Sequence, residues 1–161
     1  MYRKGREMAD KTIEGVQIKK IVRHEDERGF FAEVLKDDDP FFEDIKQTSY
    51  TETLPGIIKA FHYHEKQDDI WFVAKGRALV VLYDMREDSP TKGMVQDVVT
   101  GEESPMLIFI PKGVAHGYKV LGNEPVCLFY HTTESYDPKA PDEGRIPYDS
   151  PEIGYDWSTN D

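Results

Sequence analysis

Between Gly56 and Gly76 the chain reads GIIKAFHYHEKQDDIWFVAKG, and the pair His62 and His64 is the first chemistry it offers. Side chains alternate between faces along a strand, so the two imidazoles are expected to point the same way, together with Ile58 and Ala60. Two imidazoles side by side on one face of a barrel strand suit a divalent metal. A single imidazole there can instead act as a general base. Histidines at this spacing also occur on ordinary surface and core strands, so the rest of the chain must decide between these uses.

The elements that must hold these residues read as strands. The segments TIEGVQIKKIV, GFFAEVL, IKQTSYTE, GIIKAFHYH, DIWFVA, RALVVLYDM, GMVQDVV, MLIFIP, AHGYKVL and PVCLFYHT are rich in β-branched and aromatic residues. Most are of strand length, with Gly, Pro, Asp or Asn between them. No segment carries a long, capped helical repeat. The expected plan is all-β with about ten strands, closed as a sandwich, jelly roll or barrel to hide its edges. Short helical pieces are expected near DDDPFFEDI and in the tail. From Glu134 onward the chain is rich in Pro, Asp and Gly yet keeps Tyr136, Tyr148, Tyr155 and Trp157. A disordered tail has few aromatics, so residues 134–161 are expected to wrap the barrel as ordered coil and close the mouth of a pocket.

A chain of 161 residues fits one domain, 1–161, with a core of its own. Twenty basic against 31 acidic residues leave a net charge of -11. That balance disfavours DNA, RNA or an anionic membrane as partner, but a small phosphorylated ligand needs only a local cluster of Arg and Lys. The single cysteine, Cys127, has no disulfide partner in the chain and reads as a small buried hydrophobe. No apolar run reaches the length of a membrane span, and the start MYRKGREMADK lacks the apolar region of a signal peptide. A cytoplasmic protein is expected, with residues 1–10 as a disordered leader.

The spacing of Gly56, His62, His64, Asp69 and Gly76 resembles the first motif of the cupin superfamily, with aspartate in place of the usual glutamate. PKGVAH, with Pro111, Gly113 and His116, resembles the second. This resemblance implies a three-histidine, one-carboxylate metal site of His62, His64, Asp69 and His116. Its ligand types suit Zn, Mn, Fe, Co or Ni.

From about residue 13 to residue 157 the chain also resembles the dTDP-4-dehydrorhamnose 3,5-epimerase family, a jelly-roll branch of the cupin superfamily acting on 4-keto nucleotide sugars. DERGFFAE is similar to its D-x-R-G-x-F-x-E, GIIKAFHY to its G-V-L-R-G-L-H-Y, and YDMREDSPTKG to its D-x-R-x-x-S-P-T-x-G. IPKGVAHGY, FYHTTESYDP and YDSPEIGYDW follow in family order. The resemblance implies His62 as catalytic base, Asp149 as the carboxylate that orients it, and Tyr130 as the acid at the opposite face. It places Tyr136 against the nucleotide and His116 in the same pocket. It also nominates Arg28, Phe31, Glu33, Gln47 and Ser49 as nucleotide-binding residues across a swapped homodimer interface. Lys59 replaces the family's phosphate-binding arginine, keeping the charge but losing the bidentate fork.

These residue types fit the implied reaction, which requires no cofactor. A 4-keto group acidifies the C–H bonds at C3 and C5, so an imidazole can remove a proton that a tyrosine returns from the other side. An aspartate behind the histidine fixes its tautomer. As residues alone, Tyr130 and Tyr136 also fit packing, and Asp149 fits a turn before Pro151.

Two departures from the family lie in the opening stretch: its glutamine becomes His64 and its active-site lysine becomes Asp69. A carboxylate there repels the charge of an enolate. Three remedies remain open. Lys59 can swing in, although on a regular strand it faces away from His62. A divalent metal on His64, His116, Asp69 and His62 can act as Lewis acid, although a metal-bound His62 is no longer a free base. Or the reaction itself differs, as one-centre epimerisation or 3,4-ketoisomerisation. The main expectation is an isomerase of a 4-keto nucleotide-diphospho-sugar in deoxysugar or surface polysaccharide biosynthesis. The alternatives are a metal-dependent cupin, as oxygenase or metal-assisted isomerase, and a non-catalytic sugar-binding cupin.

Overall fold

Alternating apolar residues become strands throughout the computed structural model, which describes residues 12–158. The expected leader, residues 1–10, lies outside the described residues. Twelve strands are described: β1 (Gln17–Lys20), β2 (His24–Asp26), β3 (Gly29–Phe31), β4 (Gln47–Thr53), β5 (Ile58–Tyr63), β6 (Asp69–Lys75), β7 (Arg77–Asp84), β8 (Val95–Gly101), β9 (Met106–Ile110), β10 (Val114–Leu121), β11 (Val126–Thr132) and β12 (Gly144–Arg145). Two of them, β2 and β12, are too short to stand out as apolar runs. The strands form two five-stranded antiparallel sheets, ordered β1-β9-β6-β11-β4 and β12-β5-β10-β7-β8, with β2 and β3 as a separate hairpin. This is the expected all-β jelly-roll sandwich. No helix among the described residues is long and apolar enough to cross a membrane.

Strand parity assigns each side chain to a layer. On β7, Ala78, Val80 and Leu82 enter the core between the sheets, where they meet Trp71, Ile108, Ile110 and Leu128. Leu79 and Val81 point the other way, into a second cluster that Ile153 and Trp157 of the C-terminal segment cover. Complete burial of such a side chain is worth about 1.5–3 kcal/mol, so both faces of this strand hold the fold together. The outer face of the first sheet is covered in the same way, by Phe41, Val34, Leu35 and Ile45 over Ile70, Leu107 and Phe109.

The helical pieces expected near DDDPFFEDI and in the tail are absent from the described residues; both regions are turns and coil. At the first, the Asp39 carboxylate accepts from the Lys36 N–H at 2.9 Å and from the Lys19 ammonium at 2.7 Å. Those bonds tie a tight turn to β1 in place of a helical ladder.

Strand β5 breaks the alternation the sequence implies. His116 and Tyr118, two positions apart on β10, stand opposite His62 and Lys59, three positions apart on β5. The extra residue is a bulge, which re-aims the side chains beyond it. Ile58 and Ala60 therefore pack with Phe61 on the covered outer face, while Lys59 and His62 both line the pocket. The expectations that Ile58 and Ala60 share the face of His62, and that Lys59 faces away from it, are both corrected. Gly117 makes the bulge possible. A Cβ there would collide with Ala60 Cβ and sit 2.7 Å from the Lys59 carbonyl oxygen.

Candidate active site

At one end of the sandwich the sheets part around a pocket of about 600 Å³. Its walls come from both sheets, which is a common origin for a small-molecule site. His62 enters from β5 of one sheet and Tyr130 from β11 of the other, so an imidazole and a phenol face the same space from opposite sides.

His62 is held from behind. Its Nδ1 donates to Glu143 Oε1 at 2.6 Å, which leaves the Nε2 lone pair free. Glu143 reaches this position because β12 pairs with β5, with Arg145 opposite His62 and Gly144 opposite Tyr63. Gly144 has no side chain because a Cβ there would lie inside the Tyr63 ring. The preceding residue, Asp142, caps the same loop, accepting from the backbone N–H groups of Glu65, Lys66 and Gln67 at 2.9, 3.0 and 3.1 Å. Burial alone would push the Asp142 carboxyl up, but these three donors hold it below the usual carboxylate range.

The carboxylate expected behind His62 was Asp149. It lies instead in an exposed turn outside the pocket lining, and Glu143 takes the position beside the imidazole. The correction has a simple physical origin. The coil after Tyr136 returns to pair with β5 at Gly144, before the chain reaches Asp149.

The four residues expected as metal ligands do not converge as one set. His62 turns its Nδ1 to Glu143, while donor atoms of His64, Asp69 and His116 lie within 4.8 Å of one another. His64 Nε2 is 3.7 Å from Asp69 Oδ1, and His116 Nε2 is 3.7 Å from Asp69 Oδ2. Asp69, at the start of β6, accepts from Gln67 Nε2 at 2.7 Å and from Trp71 Nε1 at 3.2 Å. Burial pushes the His116 imidazole down to about 4, against the opposing pull of the Asp69 charge. At neutral pH this ring is uncharged.

The remaining expected residues divide into two groups. Gln47, Lys59 and Tyr136 line the pocket, and Gln47 Oε1 accepts from the Tyr136 backbone N–H at 2.9 Å. Ser49 is not in the lining but accepts from Gln47 Nε2 at 3.1 Å. Arg28, Phe31 and Glu33 belong to the β2–β3 hairpin and its exit, where all three are exposed and outside the lining. Tyr118 also reaches the pocket. Its buried hydroxyl pairs with Thr53 Oγ1 at 2.7 Å, and burial pushes the phenol up despite that bond.

Sequence reasoning missed Glu143, Asp142 and Gln67. All three lie in loops whose partners are set by tertiary pairing. The one local signal for Glu143 was its place directly before a glycine in PDEGR.

A sequence profile of the dTDP-4-dehydrorhamnose 3,5-epimerase family matches residues 10–161. The spore coat polysaccharide biosynthesis protein SpsL of Bacillus subtilis (strain 168) is 56% identical over 147 residues, covering 91% of this chain and 97% of that protein. A dTDP sugar isomerase from Desulfovibrio desulfuricans G20 superposes with a TM-score of 0.84 at 30% identity, covering 92% of this chain and 94% of that one. The Legionella pneumophila epimerase RmlC, solved in complex with dTDP-4-keto-L-rhamnose, superposes with a TM-score of 0.80 at 29% identity, over 89% of this chain and 78% of that one. Matched by the family profile over residues 10–161 and in fold over 92% of its length, this chain belongs to the dTDP-4-dehydrorhamnose 3,5-epimerase family and is an enzyme, a sugar epimerase.

Proposed function

We propose that the pocket epimerises a 4-keto nucleotide-diphospho-sugar by enolisation. His62 takes the proton from the carbon beside the ketone, and the electron pair moves to the 4-oxygen. Tyr130 then delivers its proton to the opposite face of that carbon, which inverts the centre. Glu143 holds His62 in the tautomer that leaves Nε2 unprotonated and stabilises the imidazolium once it forms. Lys59, brought into the pocket by the bulge, offers its ammonium to the diphosphate. Gln47 and Tyr136 form the nucleotide side of the pocket.

The observation that carries this reading is the entry of His62 and Tyr130 into one cavity from opposite sheets. The keto-sugar in the related Legionella structure supports the substrate class, and the name of the Bacillus relative supports a product destined for surface polysaccharide. A homodimer belongs to the same reading. Phe30 and Phe31 of the hairpin and Tyr50 on the edge strand β4 are each more than half exposed, as 59%, 63% and 56%. A second copy would cover them and bring Arg28, Phe31 and Glu33 toward a pocket.

Incubating the enzyme with 4-keto-6-deoxy nucleotide sugars of varied base in deuterated water tests the reaction. Deuterium is expected at C3, C5 or both, with the rate falling by about 10²–10⁴ in His62→Asn and in Tyr130→Phe. No exchange with any base, together with unchanged sugar binding by His62→Ala, overturns the reading.

A further inference from the structure

We propose that His64, Asp69 and His116 form a divalent-cation site in the floor of the pocket, separate from His62. The strongest support is the way the three side chains are held and where their ligand atoms meet. His64 Nδ1 donates to the Asp142 carbonyl at 2.5 Å, and His116 Nδ1 donates to the Val114 carbonyl at 3.0 Å. A carbonyl can only accept, so each ring carries a hydrogen on Nδ1 and leaves Nε2 as its potential ligand atom. The two Nε2 atoms stand 3.7 Å from the two oxygens of one carboxylate. Asp69 is itself held by hydrogen bonds from Gln67 and Trp71, one to each oxygen. Three potential ligand atoms thus converge within 4.8 Å of one another, and at 3.7 Å neither imidazole–carboxylate contact is a hydrogen bond.

A cation resolves that arrangement, and the dimensions fit one. Bonds of about 2.0–2.1 Å at a tetrahedral angle place neighbouring ligand atoms ~3.4 Å apart, close to the distances observed. The outer contacts are those of a built site. Histidine ligands generally donate their second nitrogen to a carbonyl or carboxylate, and ligating carboxylates are themselves hydrogen-bonded. Here both imidazoles donate to backbone carbonyls, and Asp69 is fixed by an amide and an indole. The three residues come from both sheets: His116 from β10, Asp69 from β6, and His64 from just beyond β5. Two imidazoles with one carboxylate suit Zn, Fe, Co, Ni or Mn. The fourth expected ligand, His62, stays outside the set because Glu143 holds its Nδ1. Base and cation site therefore do not compete for one imidazole.

On the proposed reaction, on which this step alone rests, a cation in the floor supplies the positive charge an enolate needs where Asp69 would otherwise repel it. Its existence is tested without any sugar. The full chain, stripped with a chelator, is titrated with Zn(II) and with Co(II), followed by calorimetry, Co(II) absorption and elemental analysis after desalting. About one ion per chain is expected, with affinity at least about tenfold lower in His64→Gln and in Asp69→Asn and unchanged in His62→Asn. Thermal melting confirms that each variant is folded, and a variant that does not fold leaves the decision to the other and to the unmodified chain. Less than about a tenth of an ion per chain at saturating Zn(II) and Co(II) overturns the site, as does full binding in both folded ligand variants. A filled site with no deuterium exchange would sink the epimerase reading alone. Exchange with an empty site would sink the cation alone.

Discussion

A carboxylate that accepts from Nδ1 decides which nitrogen of His62 is free for chemistry, so the identity of that carboxylate is the sharpest question at the residue scale. Glu143 Oε1 is 2.6 Å from His62 Nδ1, whereas Asp149 sits in an exposed turn. Glu143→Gln keeps the shape but weakens the hold on the tautomer and on the imidazolium. We expect the exchange rate to fall by about 10²-fold or more with little change in KM, and Glu143→Asp to recover part of it. Asp149→Asn is expected to leave both constants unchanged. The reverse pattern, a slow Asp149→Asn and a normal Glu143→Gln, would restore the role the sequence implies for Asp149. The contrast marks what single residues reveal. That His62 and Tyr130 line one pocket was legible because each sits at a fixed position within a motif on a strand. Glu143 was not, because its role depends on where a coil returns to the sheet.

At the scale of elements, the segments that resemble the family serve different ends. YDMREDSPTKG runs from the end of β7 into the loop before β8, away from the pocket lining. Fully buried Asp84 organises that loop, accepting from Arg86 Nε at 2.9 Å and from the hydroxyls of Ser89 and Thr91 at 2.6 Å each. Burial alone would raise the Asp84 carboxyl, but Arg86 and the two hydroxyls together hold it well below the usual carboxylate range. A depressed folded value stabilises the fold above the unfolded value near pH 4. That stability is lost as pH falls through the unfolded value toward the folded one. Asp84→Asn should therefore cost on the order of 2 kcal/mol at pH 7 and flatten the acid limb of stability below about pH 4. Urea unfolding across pH checks this, and parallel curves for the two proteins would contradict it. The bulge in β5 is the opposite case, a feature of the site that the sequence concealed. Apolar periodicity gave the strand its limits, but only the shifted register against β10, with Gly117 against Ala60, shows that Lys59 turns inward.

At the scale of the whole molecule, most of the surface a sandwich must hide is already covered. The C-terminal segment closes the outer face of one sheet with Ile153 and Trp157, and the stretch around Phe41 closes that of the other. The all-β plan and the family were legible in sequence because they rest on patterns repeated along the entire chain. The assembly was not, since it depends on which apolar residues remain uncovered after folding. Among them are the exposed rings of Tyr50 and Phe129, which pack at 4.8 Å on the edge strand β4 and its neighbour β11, and Phe30 and Phe31 on the hairpin. An edge strand beside exposed aromatics invites a second chain, and monomers rarely leave such an edge unprotected. Gln47, which lines the pocket, lies on that same strand, so a partner docked there would also border the active site. We expect light scattering to give about twice the chain mass at micromolar concentration. Tyr50→Lys combined with Phe31→Asp should shift the protein toward a single chain and lower the exchange rate with it. A single-chain mass for the unmodified protein at every concentration would remove the dimer. It would also leave Arg28, Phe31 and Glu33 without a route to any nucleotide, since within one chain all three lie outside the pocket lining.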